Sequence, residues 1–239
     1  MTMTGLTERV RESEPRDGDG ARGGLRRWLW AGGALVLVAV VVWVVAFSSV
    51  LGVSTVRVTG TSLLSVAQVR SAADIGDGTP LVRLDTAAIQ KRVAALPAVR
   101  RVSVTTSYPS TVTISVVERT AVGFRRQAGT ISEVDLDDVA FRTLSKTPGT
   151  LPELVSSGND ALDSEIAQVA ASLSRAVAAK VARISAPTAE SVTLALRDGR
   201  TVLWGGTESD SDKARLLPAL LGQPGRYFDI SDPSTVISR

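Results

Sequence analysis

The sequence predicts an α+β protein in which one N-terminal transmembrane helix carries two extracytoplasmic domains. No charged residue lies between Arg27 and Arg57, which predicts the membrane segment. Residues 54–118 are ordered as strand, helix, helix, strand, strand, which predicts a small β-α-α-β-β domain. Residues 119–239 contain short alternating runs, which predict a mostly antiparallel β domain with one or two helices.

The uncharged stretch is longer than the roughly 20 residues that a helix needs to cross a bilayer. We expect a transmembrane helix over residues 28–53, because in hydrocarbon a helix satisfies all of its own peptide groups. Trp28 and Trp30 stand where aromatic side chains anchor a helix at the interface. A cleavable signal peptide is the main alternative, but its apolar region spans only about 7–15 residues. The longer run favours a retained anchor.

Residues 1–27 are polar and contain almost no apolar side chains, so they predict a disordered tail. Arg22, Arg26 and Arg27 lie directly before the anchor, whereas no basic residue follows it until Arg57. Basic residues accumulate on the cytoplasmic side of membrane helices. The sequence therefore predicts a single-pass plasma-membrane protein with a cytoplasmic N-terminus and an extracytoplasmic C-terminal part.

The first domain begins with an alternating strand that contains Val56 and Val58 and ends at Gly60. Ser65 and Gln68 have the spacing of a capping box, which predicts a short helix from this point. Asp85 is a suitable N-cap for a second helix that stops at a proline. Two further alternating strands complete the domain, at 99–105 and 111–118.

In the second domain the hairpin signal is strongest at Asp198-Gly199, because a two-residue turn requires positive φ at both central positions. One helix is expected from Asn159 or Asp160 onward, with an apolar stripe that continues to Val177. A second helix is expected over residues 211–221, and a final strand begins at Tyr227. The other expected strands cover residues 122–126, 131–134, 139–144, 181–184, 192–197 and 200–204.

The composition argues against catalysis, because the chain contains no Cys and no His. His is the commonest general base and metal ligand, and without Cys no thiolate chemistry or Cys-ligated metal is possible. A net charge of +3 without a concentrated basic face also argues against nucleic-acid binding. Residues 135–138 contain three aspartates but lack the central glycine of a calcium loop, so we expect a solvated turn. Trp204 is expected in the core, and no cofactor or metal is expected.

The order of these motifs resembles the FtsQ/DivIB family of bacterial cell division proteins. The resemblance implies that residues 54–118 form a POTRA domain and that residues 119–239 form the C-terminal β domain of the family. In the first domain it rests on Val56-x-Val58-x-Gly60, Leu96-Pro97-x-Val99, Tyr108-Pro109-Ser110-Thr111-Val112-x-Ile114 and Val117-Glu118-Arg119. In the second it rests on Asp198-Gly199, Leu203-Trp204-Gly205, Lys213 and Tyr227-x-Asp229-Ile230.

The resemblance implies a non-catalytic, bitopic scaffold that is concentrated at the division septum. Such a scaffold recruits and links FtsB/DivIC-like and FtsL-like single-pass proteins for septal cell-wall synthesis, and it uses no cofactor or small-molecule substrate. The alternative function is a membrane-anchored extracytoplasmic sensor or ligand-binding module. That alternative predicts a concave pocket with convergent polar groups, whereas the scaffold predicts an unpaired strand edge.

The resemblance also implies where a partner docks, since in this family the partner adds a strand to the edge of the last strand. Here that edge would run from Tyr227 to Ile230 and continue through residues 231–239, although Pro233 interrupts it. The residues expected to contact the partner are Tyr227, Phe228, Ile230, Val236 and Ile237. For Phe228 and Ile230, an ordinary position in the core of a terminal strand is the alternative.

Overall fold

The N-terminal helix is the longest element of the protein. A computed structural model describes residues 20–47, 52–235 and 237–238, and the helix α1 covers Gly20–Phe47. Within the described residues it extends to Gly20, so residues 20–27, which the sequence places in a disordered tail, are helical, and the rest of that tail, residues 1–19, lies outside the described residues. Among the residues with described side chains, no helix combines the length and the apolar character needed to cross a membrane. The described side chains do not include those of Arg22, Arg26 and Arg27. The orientation of the helix in the membrane therefore remains a prediction.

Residues 53–118 form a three-stranded sheet, the small sheet, with two helices on one face, as the sequence predicts. The strand order is β1-β3-β2, with β1 parallel and β2 antiparallel to the central strand. The predicted capping box at Ser65 and Gln68 and the predicted N-cap at Asp85 are both present. The elements are β1 Thr55–Thr59, α2 Val66–Ala73, α3 Thr86–Ala94, β2 Val99–Ser107 and β3 Thr111–Glu118.

The remaining strands form one nine-stranded sheet, the large sheet, in the order β12-β11-β10-β9-β8-β7-β4-β5-β6. Neighbouring strands are antiparallel except for β4–β7, β7–β8 and β10–β11, which are parallel. The strands are β4 Gly123–Gln127, β5 Thr130–Val134, β6 Ala140–Leu144, β7 Glu153–Leu154, β8 Val181–Ser185, β9 Val192–Leu196, β10 Thr201–Gly205, β11 Tyr227–Asp229 and β12 Ile237–Ser238.

The helices α4 Asp160–Ser172, α5 Arg175–Ala178 and α6 Asp210–Leu220 belong to this second unit. The predicted first helix does not run unbroken to Val177: Leu173 leaves the helical conformation and Ser174 caps a new short helix. Leu173 and Val177 are nevertheless both buried, so the apolar stripe is continuous although the helix is not. The core of this unit includes fully buried Trp204, Phe228, Leu217, Ile166 and Ile184.

A turn at residues 135–138, between β5 and β6, forms side-chain contacts between the two units and is called the junction turn. Asp135 is only 1% exposed and accepts a hydrogen bond from Arg119 and from the backbone amides of Asp137 (3.1 Å) and Val139 (3.0 Å). Asp137 forms an ion pair with Arg100 of β2 at 3.1 Å. The prediction of a solvated turn is therefore wrong for Asp135, because Arg119, the residue after β3, and two backbone amides of the turn enclose its carboxylate.

Glu118, at the end of β3, closes the loop between β1 and α2. Its carboxylate accepts hydrogen bonds from the backbone amides of Ser62 (2.9 Å), Leu63 (2.8 Å) and Leu64 (2.8 Å) and from the Ser62 hydroxyl (2.8 Å). Partial burial acts to raise the pKa of Glu118, but these hydrogen bonds favour the ionised form and hold it below its ordinary value. The carboxylate thus takes the place of a missing backbone partner for three amides.

We expect Glu118→Gln to weaken the acid dependence of stability. Because the pKa of Glu118 is lower in the folded protein, its stabilisation is complete above the unfolded pKa of about 4.3 and disappears as pH falls through the folded value. The variant should therefore be less stable than the parent at pH 7 but should lose less stability on acidification. Melting temperatures measured between about pH 3 and pH 7 test this. The exposed Glu190→Gln is the control, and an unchanged acid slope in Glu118→Gln would contradict the assignment.

Candidate functional site

The large sheet ends at β12 on one side and at β6 on the other, among the residues that the structure describes. β12 pairs antiparallel with β11, through Phe228 with Ser238 and Asp229 with Ile237. β11 in turn pairs in parallel with β10. The segment Tyr227–Asp229 is therefore an interior strand, and the outer row of backbone groups at this end belongs to β12.

The structure separates the expected contact residues into two groups. Phe228 and Ile230 are completely buried in the core of the large sheet, and the guanidinium carbon of Arg200 lies 5.8 Å from the centre of the Phe228 ring. Tyr227 and Ile237 are 37% and 43% exposed. Val236 lies outside the described residues. The alternation of a strand produces this division, because successive side chains point to opposite faces.

The chain reverses between β11 and β12 in a polar turn at residues 231–235. Asp229 accepts hydrogen bonds from the backbone amide (3.0 Å) and the hydroxyl (2.7 Å) of Ser231, and Asp232 accepts the equivalent pair from Ser234 (2.8 and 2.6 Å). The bonds from Ser234 lower the pKa of Asp232. Pro233 lies inside this turn rather than in a strand, so it removes no hydrogen bond from the sheet.

A shallow groove lies beside the turn, on the side of α6, with a volume of about 460 Å³. Leu216 contributes an apolar side chain that is 38% exposed, and Arg215 forms an ion pair with Asp212 one helical turn away. Pro233 and Ser234 form the opposite wall. Sequence reasoning missed these helix residues, although positions 212, 215 and 216 have the spacing of a single helix face.

Another cleft, of about 410 Å³, lies where the two units meet. It contains charged side chains that already have partners: Arg142 is paired with Glu133 at 2.6 Å, and Glu118 is bonded to the 62–64 loop. Within the described part of the chain, no group of three or more His, Cys, Asp or Glu side chains could hold a metal ion. The exposed strand edge next to the α6 groove is therefore the best-supported surface for binding.

Comparison with known proteins gives two family matches. Residues 51–119 match the POTRA domain, FtsQ-type, and residues 124–232 match the C-terminal domain of the cell division protein FtsQ/DivIB. Both ranges follow the two structural units described above. The matched ranges therefore assign a POTRA domain to the small sheet and its helices, and the C-terminal domain of that family to the large sheet.

The chain is 39% identical over 189 residues to the cell division protein FtsQ of Mycobacteroides abscessus, covering 78% of this chain and 61% of that protein. It is 38% identical over 213 residues to FtsQ of Streptomyces collinus, covering 82% and 81%. The chain thus spans less than two thirds of the Mycobacteroides relative. A solved extracytoplasmic domain of DivIB from Geobacillus stearothermophilus aligns with a TM-score of 0.36 and 20% identity, over 44% of this chain and 92% of that one.

Proposed function

The chain belongs to the FtsQ/DivIB family of bacterial cell division proteins, and on that premise we propose that it is a non-catalytic scaffold of the division machinery. It recruits and links FtsB/DivIC-like and FtsL-like single-pass partners for septal cell-wall synthesis. The partner adds a strand to the outer edge of β12. Partner residues that flank the added strand occupy the groove next to α6. The absence of His and Cys from the sequence supports a binding role rather than a catalytic one.

The observation that carries this proposal is the exposed edge at β12. Strand addition needs a row of backbone donors and acceptors without an intramolecular partner, together with side chains that select the incoming strand. β12 supplies the backbone row, and Ile237 and Tyr227 supply exposed apolar surface beside it. Of the residues expected from the sequence, Phe228 and Ile230 support the edge from the core and do not touch the partner.

We further propose that α1 is the single membrane anchor, with Arg22, Arg26 and Arg27 on the cytoplasmic side and the protein concentrated at the septum. A helix of 28 residues is about 42 Å long, enough for a hydrocarbon core of about 30 Å. Its apolar side chains are uncovered by the rest of the protein: Trp28 is 80% exposed and Leu35 is 72% exposed. Such a surface is stable only in contact with another apolar phase.

A binding titration tests the docking edge. We expect Ile237→Glu in the full-length, detergent-solubilised protein to weaken binding of an FtsB/DivIC-like ectodomain by tenfold or more, because a buried unpaired charge would replace an apolar contact. Val155→Glu, at a side chain that is 37% exposed against 43% for Ile237, is the matched control. Truncation before β11 is unsuitable, since it would remove Phe228 and Ile230 from the core. Equal binding by the parent and by Ile237→Glu would refute β12 as the docking site. No binding by the parent would refute an FtsB/DivIC-like protein as the partner.

A further inference from the structure

A lysine is completely buried beside the end of β10, in the large sheet. Lys213 of α6 is 1% exposed, although lysine side chains are almost never fully buried unless their charge is compensated. Its Nζ donates a hydrogen bond to the carbonyl of Gly206 at 2.8 Å and lies 6.0 Å from the centre of the Trp204 ring. This position leaves the ammonium group dependent on the charges around it.

Three carboxylates from different segments act on the charge of that ammonium group. Glu208 comes from the loop before α6 and Asp210 from the first turn of α6. Asp232 comes from the turn between β11 and β12. Burial lowers the pKa of Lys213, and the three acids oppose this effect. Asp210 is itself fixed, because it accepts a hydrogen bond from Nε1 of the buried Trp204 at 2.7 Å. Lys213 therefore links α6 and β10 electrostatically to the turn that precedes β12.

The backbone makes a second link at the same place. Gly205 has φ +78°, and a Cβ at this position would lie 2.7 Å from Cβ of Ser231 and 2.9 Å from its Cα. The end of β10 therefore lies directly against the first residue of the 231–235 turn. The amide of Ile230 also donates to the carbonyl of Leu203 at 2.9 Å. We call the four residues of β10 and α6 that support the turn, Trp204, Gly205, Asp210 and Lys213, the Lys213 cluster.

We propose that the Lys213 cluster positions the 231–235 turn, and through it β12, in the conformation that accepts a partner strand. The described part of β12 pairs with β11 at two positions, Phe228 with Ser238 and Asp229 with Ile237. The 231–235 turn leads the chain from β11 to this pairing, so the position of the turn bears on where β12 lies. The inference rests on the proposed function only in so far as β12 is the docking edge; the positioning itself is a property of the free protein.

Amide hydrogen exchange on the full-length protein without partner tests the proposal. Lys213→Met keeps the volume and removes the charge. Because it removes one side of a buried charge interaction, which lowers stability, the global stability of the variant is measured alongside by chemical denaturation. We expect exchange of the Thr235 amide, and of the β12 amide that donates to β11, to become at least tenfold faster. Amides of the central strand β9 should change by no more than the measured loss of global stability. Lys180→Met, at an exposed lysine, is the matched control and should change neither region.

A second variant keeps the test decisive if Lys213→Met fails to fold. Asp232→Asn retains the oxygen that accepts from Ser234 but removes the charge that faces Lys213, and it does not alter α6. Faster exchange confined to the turn and β12 supports the proposal. Unchanged exchange there in folded Lys213→Met, or in Asp232→Asn, overturns it. The affinity of each variant for the partner is measured separately. Faster exchange with unchanged affinity supports the positioning of the turn by the Lys213 cluster and refutes β12 as the docking edge.

Discussion

Replacing Gly60 with alanine is expected to destabilise the small sheet by on the order of 3 kcal/mol. Gly60 has φ +82°, and an added Cβ would lie 2.0 Å from the carbonyl oxygen of Val116. That oxygen belongs to the backbone of β3, the central strand, which is paired on both sides. The strand cannot move away without breaking ladder bonds, so the clash is not relieved by a side-chain rotation.

Gly129 provides a matched control for this variant. It has almost the same backbone conformation, φ +81°, but nothing lies within 4 Å of the position that its Cβ would occupy. Gly129→Ala therefore carries the conformational cost alone, about 1–2 kcal/mol. Chemical denaturation of both variants separates the two contributions. Equal losses would mean that the close approach between Gly60 and Val116 is not what requires glycine.

Asp135→Ala is the second large expected effect, with a loss of about 3 kcal/mol or more. The change removes the carboxylate that Arg119 contacts and the acceptor for two backbone amides, in a position that is 1% exposed. An arginine that is only 17% exposed would keep a single carboxylate, Asp137, at 3.6 Å. Breaking a buried pair from one side costs more than the pair contributes, because it leaves a charge without compensation.

Asp137→Ala in the same turn should cost at most about 1 kcal/mol, since both Asp137 and Arg100 are substantially exposed and water screens their interaction. Thermal denaturation measures the difference between the two variants. Because the chain has no Cys, spin labels on two introduced cysteines, one in each unit, can also report the distance between the units. A broader distance distribution is expected for Asp135→Ala alone, and equal behaviour of both variants would show that burial of Asp135 is unimportant.

Local signals in the sequence predicted much of this fold. The capping box at Ser65 and Gln68, the N-cap at Asp85 and the hairpin at Asp198 depend on neighbouring residues, so they are predictable from short segments. The expected turn type is wrong, because Gly199 has positive φ but Asp198 does not. The expectation of a core position for Trp204 is also confirmed, with the ring completely buried.

What the sequence could not predict depends on contacts between distant segments. Alternation indicates that Phe228 and Tyr227 face opposite sides, but not which side the helices cover. The burial of Asp135 requires Arg119 and the junction of two sheets, which no local pattern encodes. The edge at β12 depends on the pairing of Ile237 and Ser238 with β11 across the 231–235 turn, which no local pattern specifies.

The parallel pairing of β1 with β3 has a mechanical consequence. Tension between α1 and the C-terminal domain would enter the small sheet at the first residue of β1 and leave it at the last residue of β3. In a parallel pair these two points lie at opposite ends of the ladder, so the load runs along the strands and is shared by all five residue pairs at once. An antiparallel pair pulled from adjacent ends would open one bond at a time. The small sheet is therefore connected as a shear-resistant link between the N-terminal helix and the large sheet.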